Sequence, residues 1–331
     1  MNTTILSIVV PVYNVECYLR QCLDSAIVPG VSGYELVCVN DGSTDSSPEI
    51  LSEYQANYPN LIRVIHTPNG GLGAASNNGI KAAAGDYIAF LDSDDYLVPG
   101  AVEQMIEACC NGDDIIIFNF TEVNDRGEHI GINRGCAREE GTFTLEGYPQ
   151  LLFDRPSRAN KLFRKQLFVT HQIWYPSRVW FEDYRTNPKL YPYCTSIRYV
   201  NSEWYNYRQQ PASITHGKDP TRNLEILDAA EDLLSFYEKE NLFNRYHDEL
   251  EFSVFYNVLL TSTDRVNLID PTSSVQGKLL EYTRNRFPDY EQNRYFLSMS
   301  KKHRLLYFLI KNRLYRLLNL ILRLNNTAKG K

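Results

Sequence analysis

Nothing acidic follows Glu291, whereas ten Lys or Arg do, so the formal net charge of −6 averages an acidic body and a wholly basic end. Also missing is any uninterrupted apolar stretch of the ~18 residues a membrane span needs. The opening MNTTILSIVVPVYN has no basic residue ahead of an apolar run too short for a signal peptide with its cleavage site, so a cytoplasmic protein is expected. None of the seven cysteines (Cys17, Cys22, Cys38, Cys109, Cys110, Cys136, Cys194) forms a C-x-x-C pair. Their odd count and their place in apolar runs make them reduced packing residues rather than metal ligands. No internal repeat and no low-complexity stretch is present.

What is there is globular. Hydrophobic residues make up 43% and charged residues 22% of the chain, close to the usual proportions, which excludes extensive disorder. With 331 residues, one large domain or two smaller ones are expected.

The first half alternates. ILSIVVPVY, YELVCVN, LIRVIHT, DYIAFLD and DIIIFNF are short, β-branched apolar runs that suit strands covered on both faces. Between them VECYLRQCLDSAI, SSPEILSEYQANY, GAASNNGIKAAA and GAVEQMIEACC carry apolar residues at helical spacing. The alternation predicts an α/β fold with a parallel sheet. In such sheets ligands bind beyond the carboxyl ends of the strands. There stand PVYN, NDGSTDSS, TPNGGLGAAS and DSDD, all polar or rich in Gly and Pro, and they are expected to converge on one rim.

Residues 141–210 are less regular and strongly aromatic, and belong to the same domain; from Asn223 onward the pattern is helical. A boundary near Asp219-Pro220 separates residues 1–219 from a helical region 220–331, which ends in a basic amphipathic helix over about 301–324.

The acids of FLDSDDYL ask for a cation. Asp92 and Asp94, flanking Ser93, can present oxygens to Mg²⁺ or Mn²⁺, whose remaining partners are usually water and phosphate oxygens. The same segment also reads as a turn capping the helix that follows. Asp41 could accept a ring N–H of a nucleobase, or simply belong to a turn. Gly71-x-Gly73-x-x-Ser76 imitates a dinucleotide fingerprint, with Asp92 about 20 residues further on, and would suggest an NAD-type oxidoreductase. Against it, Ser replaces the third glycine, the motif follows the third strand, and three adjacent acids stay unexplained.

Taken together, SIVVPVYN, VNDGSTDSS, NGGLGAASNNGIKAAAGDYIAFLDSDDYL and WFEDY resemble the family 2 glycosyltransferases, inverting GT-A-fold enzymes that use nucleotide sugars. The resemblance covers about the first two-thirds of the chain. It implies that Pro11, Val12, Tyr13 and Asn14 line the base pocket and that Asp41 contacts the base. Asn69, Gly70 and Gly71, with Asn77 in the following helix, are implied to lie beside the nucleotide. Asp92, Ser93 and Asp94 match the D-x-D, with Asp94 the direct metal ligand and Asp92 nearer the ribose and base. The family often has Arg where this chain has Ser76, which leaves Lys161 or Arg185 to replace it at the phosphates.

An inverting transfer needs a base on the face opposite the leaving nucleotide. The resemblance of WFEDY implies Asp183 in that role, with Glu182 beside it; acids opening a helix would also complement its dipole. Trp174, Tyr175, Trp180 and Tyr184 offer faces for a sugar or for the core. Lys161, Trp180 and His216 are expected near acceptor or phosphate.

In the terminal segment an apolar stripe through Leu306, Ile310, Leu317, Ile321 and Leu324 faces away from Asn312, Arg316, Asn319 and Arg323. Such a helix fits an anionic membrane surface on the inner face of the cell membrane, or a protein partner; no nucleic-acid motif accompanies it. The expected activity is metal-dependent transfer of a sugar, UDP-linked, to a glycan acceptor, lipid-linked, in surface polysaccharide synthesis. An inactive transferase fold acting as a membrane-bound assembly partner is the non-enzymatic alternative, and the retention of Asp41, Asp92, Asp94 and Asp183 argues against it.

Overall fold

Apolar runs of this kind become strands, and the computed structural model of this chain, which describes residues 4–134, 139–209 and 219–329 (side chains to 324), makes a strand of each. Along the chain come β1 (Leu6–Val12), α1 (Glu16–Ala26), β2 (Tyr34–Asn40), α2 (Ser47–Asn57), β3 (Ile62–His66), α3 (Leu72–Ala82) and β4 (Tyr87–Phe90). Then follow β5 (Tyr96–Leu97), α4 (Ala101–Cys109), β6 (Ile115–Val123), β7 (His129–Asn133), β8 (Gly141–Phe143), β9 (Lys161–Arg164), α5 (Lys165–His171), α6 (Glu182–Leu190) and β10 (Ile197–Arg208).

The sheet order is β3-β2-β1-β4-β9-β6-β10-β5, with β7 on β6 and β8 on β10. β3, β2, β1 and β4 are mutually parallel, and Val9 sits opposite Val37 on one side and Phe90 on the other. Beyond β4 the parallel order is interrupted and then resumed, since β10 pairs parallel with β6. There β9 runs antiparallel to both β4 and β6, so the sheet is mixed. Its four residues, KLFR, are too short to announce a strand; pairing on both sides makes them one.

Contacts divide the chain into two units. The first comprises Met1–Tyr148 and Arg155–Gln209; the second comprises Pro149–Asp154 and Gln210–Lys331. The small early segment joins the second unit because Phe153 meets Phe252 and Tyr295 edge-on, each at 4.8 Å. Beyond the boundary lie α7 (Glu225–Lys239), α8 (His247–Val254), a π-helical stretch (Phe255–Thr261), α9 (Ser262–Ile269), α10 (Val275–Arg286), α11 (Arg294–Leu297), α12 (Lys301–Lys311) and α13 (Tyr315–Lys329).

The expected single terminal helix is two. Arg313 takes φ +56°, its N–H donates to Ile310 O at 3.0 Å, and the Leu314 N–H reaches Leu309 O at 2.8 Å, which is a Schellman stop. The expected stripe is corrected with it. Leu306 and Ile310 are buried, Leu317 and Leu324 exposed, and Ile321 lies between, so these residues do not share one face.

Cys22, Cys38, Cys109 and Cys194 are buried and Cys17 and Cys110 exposed, all of them free thiols; Cys136 lies outside the described residues. Among the described residues no helix is long and apolar enough to cross a membrane.

Candidate active site

Because β3, β2, β1 and β4 are parallel and adjacent, their carboxyl ends lie along one edge, where ligands of open α/β sheets bind. Pro11 and Val12 are buried within β1, while Tyr13 and Asn14 emerge from its end exposed. Asn14 adopts φ +52°; its Oδ1 accepts the Thr44 N–H at 2.8 Å and its own N–H donates to Ser43 Oγ at 3.1 Å. The loops after β1 and β2 are thereby tied together.

Asp41 is buried, and its two carboxylate oxygens accept the N–H groups of Gly70 and Gly71, each at 2.8 Å. It clamps the loop after β3 and keeps about half its acceptor capacity. Gly71 has φ +83°, a conformation that favours glycine. A Cβ on Gly73 would fall 2.1 Å from Pro176 O, so the loop is glycine-rich to admit the backbone of residues 175–178. Asn69 O accepts from Arg178 Nη2 at 2.7 Å. Asn77 donates from Nδ2 to Tyr175 O at 2.7 Å and accepts the Tyr175 N–H on Oδ1 at 3.0 Å. The amide implied to lie beside the nucleotide is thus engaged in pinning one backbone segment to another. Ser76 is buried with its hydroxyl on Leu72 O at 2.7 Å.

The three acids after β4 divide by burial. Asp95 is sealed: Oδ2 accepts the Tyr205 O–H at 2.6 Å and Oδ1 the Arg208 N–H at 2.7 Å. Arg208 Nε donates to Asp94 O at 2.9 Å and the Asp92 N–H to Tyr205 Oη at 3.1 Å. Asp95 therefore fastens the turn to β10, with Ser93 buried in it, while Asp92 and Asp94 are less buried than Asp95. Burial, and then the charge of Asp92, push the Asp94 carboxyl up to about 6.

The residue that sequence reasoning missed is Arg158. Its side chain is 2% exposed, yet Nη2 lies 2.7 Å from Asp92 Oδ1, and Nη1 lies 3.6 Å from both Glu182 Oε1 and Asp183 Oδ1. The Arg158 N–H also donates to Asp183 Oδ2 at 3.0 Å. The rings of Phe90 and Tyr175 lie beside the guanidinium, 5.2 and 5.8 Å from its carbon. Glu182 and Asp183 form the first turn of α6, and one buried cation joins them to the acid after β4. Burial pushes both carboxyls up, while Arg158 pulls each of them down. Asp183 Oδ1 and Arg158 Nη1 and Nε are buried without a hydrogen-bond partner among the described residues. The available signal was the short run RPSRANKLF, which offers Arg155, Arg158 and Lys161 to a rim crowded with acids.

Lys161, expected at acceptor or phosphate, is corrected. It is wholly buried, and its ammonium donates to Arg155 O (3.1 Å), Ser157 O (2.8 Å) and Asn160 Oδ1 (3.0 Å). All three of its donors are thus engaged in shaping the turn that carries Arg158. Arg185 Nε donates to Trp180 O at 3.4 Å. Tyr175 and Tyr184 are core residues, whereas Trp174 and Trp180 are partly exposed. His216 lies outside the described residues.

No group of three or more His, Cys, Asp or Glu converges as a metal cage among the described residues. Asp92 and Asp94 still fit a divalent cation of the kind held by one or two carboxylates and completed by substrate phosphates. The half-buried Asp94 carboxyl, raised by burial and then by the charge of Asp92, is one that such a cation would ionise.

A family model described as glycosyl transferase family 2 matches residues 7–185. EpsH of Bacillus subtilis (strain 168), named as a glycosyltransferase, is 34% identical over 258 residues, which is 76% of this chain and 74% of that one. A poly(ribitol-phosphate) beta-glucosyltransferase of Bacillus spizizenii is 42% identical over 178 residues, 53% of this chain and 27% of its own length. Among solved structures, S. aureus TarS 1-349 in complex with UDP-GlcNAc aligns with a TM-score of 0.56 at 20% identity, covering 87% of this chain and 92% of that one. At that identity the likeness is one of fold, the GT-A arrangement of a central sheet flanked by helices.

Proposed function

Because the chain belongs to glycosyl transferase family 2, we propose that it is a metal-dependent, inverting enzyme that moves a sugar from a UDP-linked donor to a hydroxyl of a lipid-linked glycan. Its place would be the cytoplasm, at the inner face of the cell membrane, in surface polysaccharide synthesis. Family membership removes the NAD-type oxidoreductase from consideration. The observation that carries the reading is the Arg158 bridge, which sets Asp92 of the D-x-D and the acids of α6 around one cation.

Asp94, with Asp92, would hold Mg²⁺ or Mn²⁺, and that ion supplies neutralisation of charge on the departing diphosphate. Asp183 acts as the base. The acceptor hydroxyl attacks the anomeric carbon from the face opposite the nucleotide, and its proton passes to the Asp183 carboxylate. Burial favours proton uptake by this group, while the Arg158 N–H on Oδ2 holds the carboxylate in place. Glu182, on the same turn, keeps a second acid beside Arg158. Tyr13 and Asn14 at the end of β1, with the loop held by Asp41, form the nucleotide side of the rim. UDP is favoured as the nucleotide by the fold relative solved with UDP-GlcNAc, and a surface-polymer acceptor by the relative named for poly(ribitol-phosphate).

The test is calorimetric titration of UDP with and without Mn²⁺ into the protein and its Asp94→Asn variant, followed by transfer assays with UDP-sugars. Metal-dependent binding that the variant loses supports the reading. UDP binding without any transfer, across donors and glycan acceptors, would instead support the inactive scaffold.

A further inference from the structure

The helices α12 and α13 are apolar on two faces. One face, with Leu306, Leu309, Ile310 and Leu318, is buried in the second unit. The other is open: Leu305, Phe308, Leu317, Leu320 and Leu324 are each between 47% and 61% exposed. Leu305 and Phe308 stand three apart on α12, and Leu317, Leu320 and Leu324 follow at three and four on α13, so each set forms one stripe. An amphipathic helix that has already buried one apolar face has no packing reason for a second, and a large exposed apolar surface marks an interaction site.

Charge selects the occupant. Lys301, Lys302, Arg304, Arg313 and Arg316 are exposed along these helices, and none makes a salt bridge among the described residues. No acid occurs after Glu291, although the Asp264 carboxyl on α9 feels the charge of Lys302. A second copy docked by the same face would bring two such basic segments together, which like-charge repulsion opposes. An anionic lipid surface offers both the apolar depth and the opposite charge. We propose that the open face of α12 and α13 is a membrane-docking surface for anionic lipid, lying in the interface without crossing it, with the Schellman break at Arg313 allowing two short helices to follow the surface. This goes beyond the transferase reading and does not depend on it.

The experiment is flotation of the full chain with vesicles of phosphatidylcholine alone, or of phosphatidylcholine with about one third phosphatidylglycerol, at low and high salt. Binding is expected to the anionic vesicles, at least about tenfold weaker to the neutral ones, and weaker again in high salt. The double variant Phe308→Ser/Leu320→Ser is expected to lose about tenfold or more in affinity, and Arg313→Gln/Arg316→Gln to lose most of the preference for anionic lipid. These side chains are exposed, so circular dichroism should show the variants folded. Equal binding to both vesicles, or none, overturns the proposal. Vesicle-independent dimerisation by sedimentation that Phe308→Ser/Leu320→Ser dissolves would also overturn it, assigning the face to a second copy. UDP titration on the same preparation separates the two readings: a protein that binds UDP but no vesicle refutes only the docking proposal, and one that binds anionic vesicles but no nucleotide refutes only the transferase reading.

Discussion

Arg158 Nη2 lies 2.7 Å from Asp92 Oδ1, an ion pair between residues 66 positions apart in which the guanidinium is almost sealed from solvent. A buried charge is tolerated only with compensating partners, and removing one member of such a group leaves the others exposed to the full cost of desolvation. Here three carboxylates depend on one cation. Asp92 belongs to the donor side of the proposed chemistry and Asp183 to the acceptor side, so Arg158 sets their spacing without itself being asked to react.

Replacing that cation should therefore be felt in stability before it is felt in chemistry. Arg158→Met is expected to destabilise the fold by about 3–5 kcal/mol, the usual cost of breaking a buried ion pair. Arg158→Lys should recover part of the loss, because its charge remains while the planar fork is gone. Urea denaturation measures both. A change below about 1 kcal/mol for Arg158→Met would mean that the acids are solvated or protonated instead of paired.

Base and metal ligand should separate in function. Asp183→Asn is expected to reduce transfer by about 10²-fold or more with UDP affinity little changed, since only the proton acceptor is removed. Asp94→Asn should abolish the Mn²⁺-dependent part of UDP binding. Near-normal turnover in Asp183→Asn would move the base elsewhere, with Glu182→Gln the next variant to assay.

The raised carboxyl of Asp94 makes a pH prediction with opposite signs for folding and binding. The folded state holds this proton up to about pH 6, whereas an unfolded Asp releases it near about 4. Between those values the folded state binds more protons, so this group's contribution to stability is present at low pH and declines as pH rises toward 6. Metal-dependent UDP binding needs the ionised form and should rise through pH 6, gaining roughly tenfold between pH 5 and 7. Titrations at those two pH values decide it, and a flat profile would remove Asp94 as the ligand.

Two glycines should respond oppositely to the same substitution. Gly73→Ala places a methyl 2.1 Å from Pro176 O and is expected to cost about 1–3 kcal/mol through overpacking. Gly277, inside α10, has nothing within 4 Å of its missing Cβ, so Gly277→Ala should gain about 0.5–1 kcal/mol from helix propensity. Thermal denaturation of the pair checks both signs in one experiment.

Much of the architecture was legible because it rests on local pattern. The β-branched runs of β1, β2, β3, β4 and β6 and the helical spacing of α1 to α4 are written in neighbouring residues. The rim follows from the rule that parallel strands share an end. The motifs at Asp92–Asp94 and Glu182–Asp183 could likewise be found, since each lies within a few consecutive positions. That they serve one reaction was implied by the family resemblance alone; the buried cation that reaches both, Arg158, was not legible, because its place depends on tertiary packing.

The sequence by itself determined the alternating α/β order, the polar loops after each strand and the basic, acid-free end. Tertiary structure decided which of three nearby cations became the bridge: Lys161 turned inward to cap backbone carbonyls while Arg158, carried by that same turn, met the acids. It also decided that β9 runs against its neighbours, that Asn77 holds Tyr175, and that the terminal segment breaks at Arg313 and leaves a second apolar face open. Each of these depends on packing against distant residues or on a single backbone angle, and neither leaves a periodic signal in the chain.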